Sequence, residues 1–353
     1  MGARPQYIKL AALARELEKH GLEHLVINTG QHYDYRMAGI FFHEFSLPRP
    51  KSDLEVGSGN SATMVARVLE RAAPKLTKLA PDLVVVYGDT NSTLGGSLAA
   101  RQRNIPLCHV EAGLRCFDLG VPEEINRVVT DRIADLHLCP TPQSVSNLKS
   151  EGIRKNVFLT GDLLYDILRL ALPPKRDREL ILRQFGLQAG EYLLLTLHRS
   201  ETVDSREKLA QLVRMLSGLK EPTLFPLHPR TRKRFHQFRL WQRLTAIKTL
   251  KIVDPLGYRV TLTLVSSARR VLTDSGGIQR ESYFLRVPVL LLREITEWVE
   301  IHKAGGSFIV GFDRRRLDQG LYHRQFRFSN RAICRVGAAN RIALRIVAYL
   351  KSL

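Results

Sequence analysis

Short unbroken apolar runs alternate with longer amphipathic stretches along most of this chain. In the first half, runs of strand length fall at Leu25–Thr29, Leu83–Tyr87, Leu107–Glu111, Leu136–Cys139 and Val157–Thr160. Segments with helical spacing lie between them, at Ile8–Lys19, Thr63–Leu79, Ser92–Arg103, Glu123–Ile133 and Pro142–Glu151. Strands that are apolar on both faces, each followed by a helix, predict a parallel sheet covered on both sides. The polar, proline-containing stretch Leu172–Arg178 reads as a linker. After it the pattern restarts, with strands predicted at Tyr192–Leu197, Thr223–Leu227, Leu250–Val253, Arg270–Thr273, Val289–Leu292 and Phe308–Val310. The expected fold class is therefore α/β, with two Rossmann-like, doubly wound domains spanning 1–168 and 169–337. The closing helix at 338–352 has the apolar spacing of a segment that packs back on something larger, here expected to be the first domain. A ligand is expected in the cleft, outside the carboxyl ends of the strands.

The first ten residues, MGARPQYIKL, do not fit this rhythm. Gly2 to Pro5 reads as a tight loop feeding a helix, and such a loop is normally delivered by a buried strand. The first N-terminal strand is thus expected to be missing, leaving unpaired ladder groups, a groove in the core and a poorly anchored loop.

Composition narrows the function without naming it. The chain has 353 residues, 44% of them apolar, which suffices for two sizeable cores. No run of about 18 apolar residues occurs, so no membrane partner is expected, and Arg4 and Lys9 interrupt any signal-peptide-like start. Cys108, Cys116, Cys139 and Cys334 lack zinc spacing and read as reduced thiols of a cytoplasmic protein. The net charge of +20 admits three readings: nucleic-acid binding, attraction of a polyanionic substrate, or a solvated basic surface. No short nucleic-acid motif accompanies the charge, so no nucleic-acid partner is expected.

Candidate chemistry gathers at the ends of strands. Gly88-Asp89-Thr90 follows one strand, and His109 and Glu111 end the next, with Gly113 and Arg115 beyond. Glu123 and Glu124 open a helix that carries Arg127 one turn later; for Glu124 an N-terminal dipole contact competes with chemistry. In the second half, His198-Arg199, His228 with Arg230, and Asp274-Ser275-Gly276-Gly277 all follow strands. The last of these enters a helix and forms a ready phosphate site, with Glu281 one turn in, within reach of a ribose hydroxyl pair. GxGxxG after a strand, GxxxxGK[ST] and HExxH are absent, so no redox cofactor, NTPase activity or metal is expected. Carboxylates, histidines and a phosphate turn together suggest acid/base chemistry on a phosphorylated substrate.

Laid out in order, these segments resemble the non-hydrolysing UDP-N-acetylglucosamine 2-epimerases across nearly the whole chain. The matching stretches are GARPQYIK (2–9), TGQHYDY (29–35), YGDTNST (87–93), HVEAGLR (109–115), PEEINR (122–127), HRSE (198–201), HPRTR (228–232), DSGGIQRE (274–281) and TEWVE (296–300). The resemblance implies the GT-B architecture, a UDP-sugar substrate, no cofactor and a homodimer. It implies epimerisation at C-2 of UDP-N-acetylglucosamine by anti-elimination of UDP, giving a 2-acetamidoglucal, and re-addition on the opposite face. Asp89, Glu111 and Glu123 match the catalytic carboxylates, and Arg127 and His198 match residues required for activity. Arg4 and Lys9 match the diphosphate loop; His228, Ser275, Gly276, Gly277 and Glu281 match nucleotide contacts. Gln31, His32 and Arg199 match positions that some members use to bind substrate as an activator. The chain departs from the common pattern at Gln6, Thr202, Arg280, Trp298 and Val299, on the substrate side. A related UDP-sugar, such as a diacetamido-uronate, and a hydrolysing 2-epimerase are the alternatives; a basic binding protein is a third.

Overall fold

Parallel strands form the centre of both halves of the chain. The computed structural model describes residues 1–2, 4–30, 47, 49–57, 59–328 and 333–353, with Arg4 and Pro5 as backbone alone. One unit runs Met1–Ile167 and is rejoined by Arg331–Leu353; the other runs Leu168–Asn330.

In the first unit, β1 (Ile27–Asn28) and β2 (Ser52–Asp53) form a parallel pair. A separate parallel sheet follows the order β3 (Val84–Tyr87), β4 (Leu107–Val110), β5 (Leu136–Cys139) and β6 (Val157–Leu159). Val86 and Leu107 pack with the helices Ser61–Leu79 and Asn91–Arg101 through Val68, Ala72, Ala99 and Ala100. The closing helix Ala338–Leu350 belongs to this unit, and Asp166 receives the backbone N–H of Gly337 and Ala339 at 2.8 Å each.

The start of the chain is firmly held. The Met1 ammonium donates to the Ile27 carbonyl at 2.7 Å, and the Met1 carbonyl accepts from Thr29 N–H at 2.6 Å. Met1 is thus a ladder partner of β1. Gln6 accepts from Gly2 N–H at 2.7 Å and donates to the Tyr87 carbonyl at 2.8 Å, joining the opening turn to the end of β3. The expected poorly anchored loop is therefore corrected, and the helix starts at Arg4 rather than Ile8. The reason is the Gln6 amide, which satisfies backbone groups on both sides of it.

Burial has a measurable consequence at Met1. Desolvation pushes the free amino group down from 8.0 to about 5, with Asp53 opposing weakly. Between those values the unfolded chain holds the proton more tightly, so acidification favours unfolding. In a chain with a free amino group at Met1, stability should fall by roughly 1.4 kcal/mol per pH unit as pH drops from 8 towards 5. Urea unfolding across that window checks this; acetylation of Met1 should remove the slope.

The second unit contains β7 (Leu193–Thr196), β8 (Thr223–Pro226), β9 (Leu250–Val253), β10 (Arg270–Thr273), β11 (Val289–Leu291) and β12 (Ser307–Ile309). All are parallel, in the order β12-β11-β10-β7-β8-β9, so the winding reverses between β7 and β10. Leu193, Leu195 and Leu197 face one apolar cluster, while Tyr192 and Leu194 face the other. That alternation explains why the strand reads as an unbroken apolar run. The predicted linker is shorter than expected, because the helix Lys175–Phe185 begins inside it. Proline is tolerated ahead of a first helical turn, and the charged residues after it are good helix formers whose stripe buries Leu182.

Candidate active site

In the first unit Asp89 and Glu111 follow the carboxyl ends of β3 and β4, His109 lies within β4, and Glu123, Glu124 and Arg127 stand on the helix Pro122–Ile133. Gly88 leaves β3 with φ 64°, and Asp89 follows with its carboxylate 29% exposed. Arg127 donates to that carboxylate and, at 2.5 Å, to Glu124. Asn126 holds the Asp89 carbonyl at 2.8 Å, so both ends of Asp89 are fixed from the helix Pro122–Ile133. Glu124 is buried and accepts from Cys116 N–H and, at 2.8 Å, from Phe117 N–H. It clamps a loop rather than meeting the helix dipole. Glu123, its neighbour, is half-buried in the first turn of the same helix.

Glu111 leaves β4 in the left-handed region, with φ 72°. That conformation is unfavourable for a residue with a Cβ and marks a backbone held in place by its surroundings. Its carboxylate pairs with Lys9 Nζ, and both side chains are buried. Lys9, expected as a diphosphate contact, is thus found facing a carboxylate. Gly113 shows why glycine is required two residues on: its φ is 80°, and a Cβ there would collide with the Ser144 carbonyl. The Arg4 side chain, Gln31 and His32 lie outside the described residues.

Behind these groups stands a charged network that the sequence reading did not single out. Asp131 is fully buried and accepts from His109 Nδ1 at 2.6 Å, Arg115 Nη1 at 2.7 Å and Gly113 N–H at 3.0 Å. Burial works to raise its carboxyl, but His109 and Arg115 hold it below the usual carboxylate range. The available signal was spacing: Glu124, Arg127 and Asp131 share one stripe of the helix, and that stripe is buried although charged.

In the second unit the candidates meet at the strand-order reversal. Asp274, after β10, is fully buried and accepts from the N–H groups of His198 and Arg199, after β7, at 3.1 and 2.9 Å. Burial opposes its ionisation, yet His198 and the Arg199 N–H keep the carboxyl below its ordinary range. The His198 side chain remains 44% exposed, with Nδ1 3.3 Å from Asp274. His228 caps the helix Pro229–Gln237, and its ring lies 6.3 Å from that of His198. Ser275 caps the helix Gly276–Phe284, accepting from Ile278 N–H. A Cβ at Gly276 would strike the Glu297 carboxylate, whereas one at Gly277 would meet Ser275 Oγ at an ordinary contact distance of 3.7 Å. Glu281 is buried on the same helix.

A further set, Glu297 and Arg293, escaped the sequence reading. Glu297 accepts from Arg199 at 3.0 Å and from Arg293 at 2.7 Å, and Arg293 also reaches Glu201 at 3.2 Å. Arg199 is therefore tied to two carboxylates, through its backbone and its side chain. Arg280, a departure from the common pattern, lies buried with its guanidinium 4.2 Å from the centre of Trp298, another departure. The two unusual residues form one cation–π pair.

In the second unit, polar strand ends and a helix N-terminus at the winding reversal suit a phosphorylated ligand. The model of the family described as UDP-N-acetylglucosamine 2-epimerase matches residues 15–329. The chain belongs to the UDP-N-acetylglucosamine 2-epimerase family. A Methanococcus maripaludis relative, named a UDP-N-acetylglucosamine 2-epimerase homolog, is 43% identical over 91% of this chain and 90% of its own. The UDP-2,3-diacetamido-2,3-dideoxy-D-glucuronate 2-epimerase of Pseudomonas aeruginosa is 36% identical over 89% and 88%. The crystal structure of Methanocaldococcus jannaschii UDP-GlcNAc 2-epimerase, in complex with UDP-GlcNAc and UDP, is 38% identical with a TM-score of 0.89, covering 99% of this chain and 98% of that one. The expected α/β fold with two Rossmann-like units of GT-B type is thus found. Among the described residues no three His, Cys, Asp or Glu side chains are grouped to hold a metal, and no helix is long and apolar enough to cross a membrane.

Proposed function

We propose that this protein interconverts UDP-N-acetylglucosamine and UDP-N-acetylmannosamine by epimerisation at C-2. The observation that carries the reading is the pair of carboxylates at adjacent strand ends, Asp89 after β3 and Glu111 after β4, each held by a cation in a member of this family. The C-2 proton of the sugar is not acidic, so direct abstraction would be slow. Anti-elimination of UDP, giving a 2-acetamidoglucal, and re-addition with the proton delivered to the other face avoid that step. This route needs a base, an acid on the opposite face and stabilisation of the leaving diphosphate. We assign proton transfer to Asp89, Glu111 and Glu123, with Arg127 orienting Asp89. Lys9 pairs with Glu111 and holds its carboxylate in place. His198, with His228 and the Ser275-Gly276-Gly277 turn, receives the diphosphate, helped by Arg4, and Glu281 takes the ribose hydroxyls.

Activation by substrate through Gln31, His32 and Arg199, a homodimer, a cytoplasmic setting and a role in polysaccharide biosynthesis complete the proposal. One second reading has specific support: the 36% identity to the diacetamido-glucuronate epimerase makes that uronate the other substrate to test.

Incubating the protein with UDP-N-acetylglucosamine in deuterated water should place deuterium at C-2 while the UDP-sugar pool is conserved. Loss of UDP-sugar with release of free UDP would show a hydrolysing enzyme instead. Folded protein that exchanges nothing with either UDP-sugar would sink the reading.

A further inference from the structure

His109 takes no part in the proton transfers assigned above, yet it is the most enclosed polar group beside them. It is fully buried on β4, between Val86 of β3 and His137 of β5. Nε2 lies 2.8 Å from the Gly88 carbonyl and Nδ1 2.6 Å from Asp131 Oδ1. Both partners are acceptors. A carbonyl cannot donate, and Asp131 Oδ2 already takes Arg115 Nη1 and Gly113 N–H, which holds the carboxyl ionised. A neutral imidazole has one N–H and would turn a lone pair towards one of them.

We propose that His109 is a buried imidazolium that donates from both nitrogens, and that this tether positions Asp89 and Glu111 for the reaction proposed above, on which the positioning role rests. Charge balance agrees. Arg115 holds Glu151 through Nε and Nη2 at 2.7 Å each, so two cations, His109 and Arg115, face two carboxylates, Asp131 and Glu151. Among the described residues, His137 and Cys139 on the neighbouring β5 add no charge. His137, donating Nε2–H to the Asp131 carbonyl at 2.7 Å, is pushed below its ordinary value by burial. Cys139 is pushed up by burial and stays a thiol. Lys9 is matched by Glu111.

The geometry links this charge to the reacting groups. Gly88 precedes Asp89 directly, and a Cβ on Gly88 would stand 3.2 Å from Glu111 Oε2 and 3.5 Å from Lys9 Nζ. Moving the Gly88 carbonyl therefore moves the backbone of one proposed acid/base group and the wall against the other. Asp131 and Arg127 share a helix, so the far end of the tether rests on the element that also grips Asp89. His109 is thus a positioning residue, acting through Gly88.

Histidine side-chain 15N spectra of the full chain near neutral pH test the charge, with the His109 signals assigned by their loss in His109→Gln. Two protonated ring nitrogens are expected; one nitrogen with a free lone pair would overturn the proposal. His109→Gln keeps one donor for Gly88 and should lower kcat for C-2 exchange roughly 100-fold, with KM and UDP affinity changed by no more than about threefold. His109→Asn, too short to reach Gly88, should fall further. A kcat within about threefold of wild type in folded His109→Gln would show a structural role only and overturn the positioning claim. If neither variant folds, the wild-type spectra decide, with the His109 ring nitrogens assigned through their scalar couplings to its own backbone resonances. Wild-type protein that exchanges nothing at C-2 would remove the epimerase reading and with it the positioning role, and leave the imidazolium to stand or fall on the spectra.

Discussion

Glu111→Gln should cut deuterium incorporation at C-2 by roughly a thousandfold, within the span attributed to a positioned acid or base. The substitution keeps the shape of the side chain but removes its capacity to accept a proton. It also strands a charge. Lys9 is buried against Glu111, so an amide there leaves an ammonium without a counter-ion. Removing one member of a buried pair costs about 3–5 kcal/mol, far more than the pair contributes relative to an apolar replacement. Lys9→Met in the Glu111→Gln background should therefore recover most of the lost stability and none of the activity. Chemical unfolding and the C-2 exchange assay, run on both variants, separate the two effects. If the double variant regains activity along with stability, Glu111 is a structural partner of Lys9 and the proton transfer lies elsewhere.

Arg127→Met carries the second large effect. The guanidinium is buried and joins Glu124, itself buried, to Asp89. Glu124 also receives the N–H groups of Cys116 and Phe117, so it cannot move towards water without releasing that loop. A methionine fills similar space but leaves a buried carboxylate uncompensated, and a loss of about 3–5 kcal/mol is expected. Asp89 is less enclosed and should lose its orientation. Activity should then fall more than stability predicts. Glu124→Gln added to Arg127→Met should restore the unfolding midpoint while C-2 exchange stays low. An Arg127→Met variant with unchanged midpoint would show that Glu124 is satisfied by the backbone alone.

Much of the fold was legible in the chain because the signals are local. β5, β9 and β10 span the residues that their apolar runs predict, and most other predicted strands differ only at an end. What failed was anchoring. Nothing near Gln6 in sequence announces that its amide reaches the Tyr87 carbonyl, 81 residues away. The linker is shorter than its charge and proline content imply, because the helix whose stripe places Leu182 inward begins inside it. The candidate site divides in the same way. Asp89, Glu111, His198 and Asp274 stand out because a polar residue directly after a buried strand has few other reasons to be there. Asp131, Arg293 and Glu297 do not stand out, being ordinary charged residues of helix and loop until burial makes them costly.

By itself, then, the sequence determined two Rossmann-like units, the strand ends at which chemistry could sit, and the family. Periodicity acts over one or two turns, and strand ends follow from it. Only the tertiary structure decided which charge answers which: Lys9 with Glu111, Arg127 with Asp89, His109 and Arg115 with Asp131, Arg199 and Arg293 with Glu297. Those partners are brought together by folding. Their pairing is set by the cost of burying an unmatched charge, a quantity that exists only once water has been excluded.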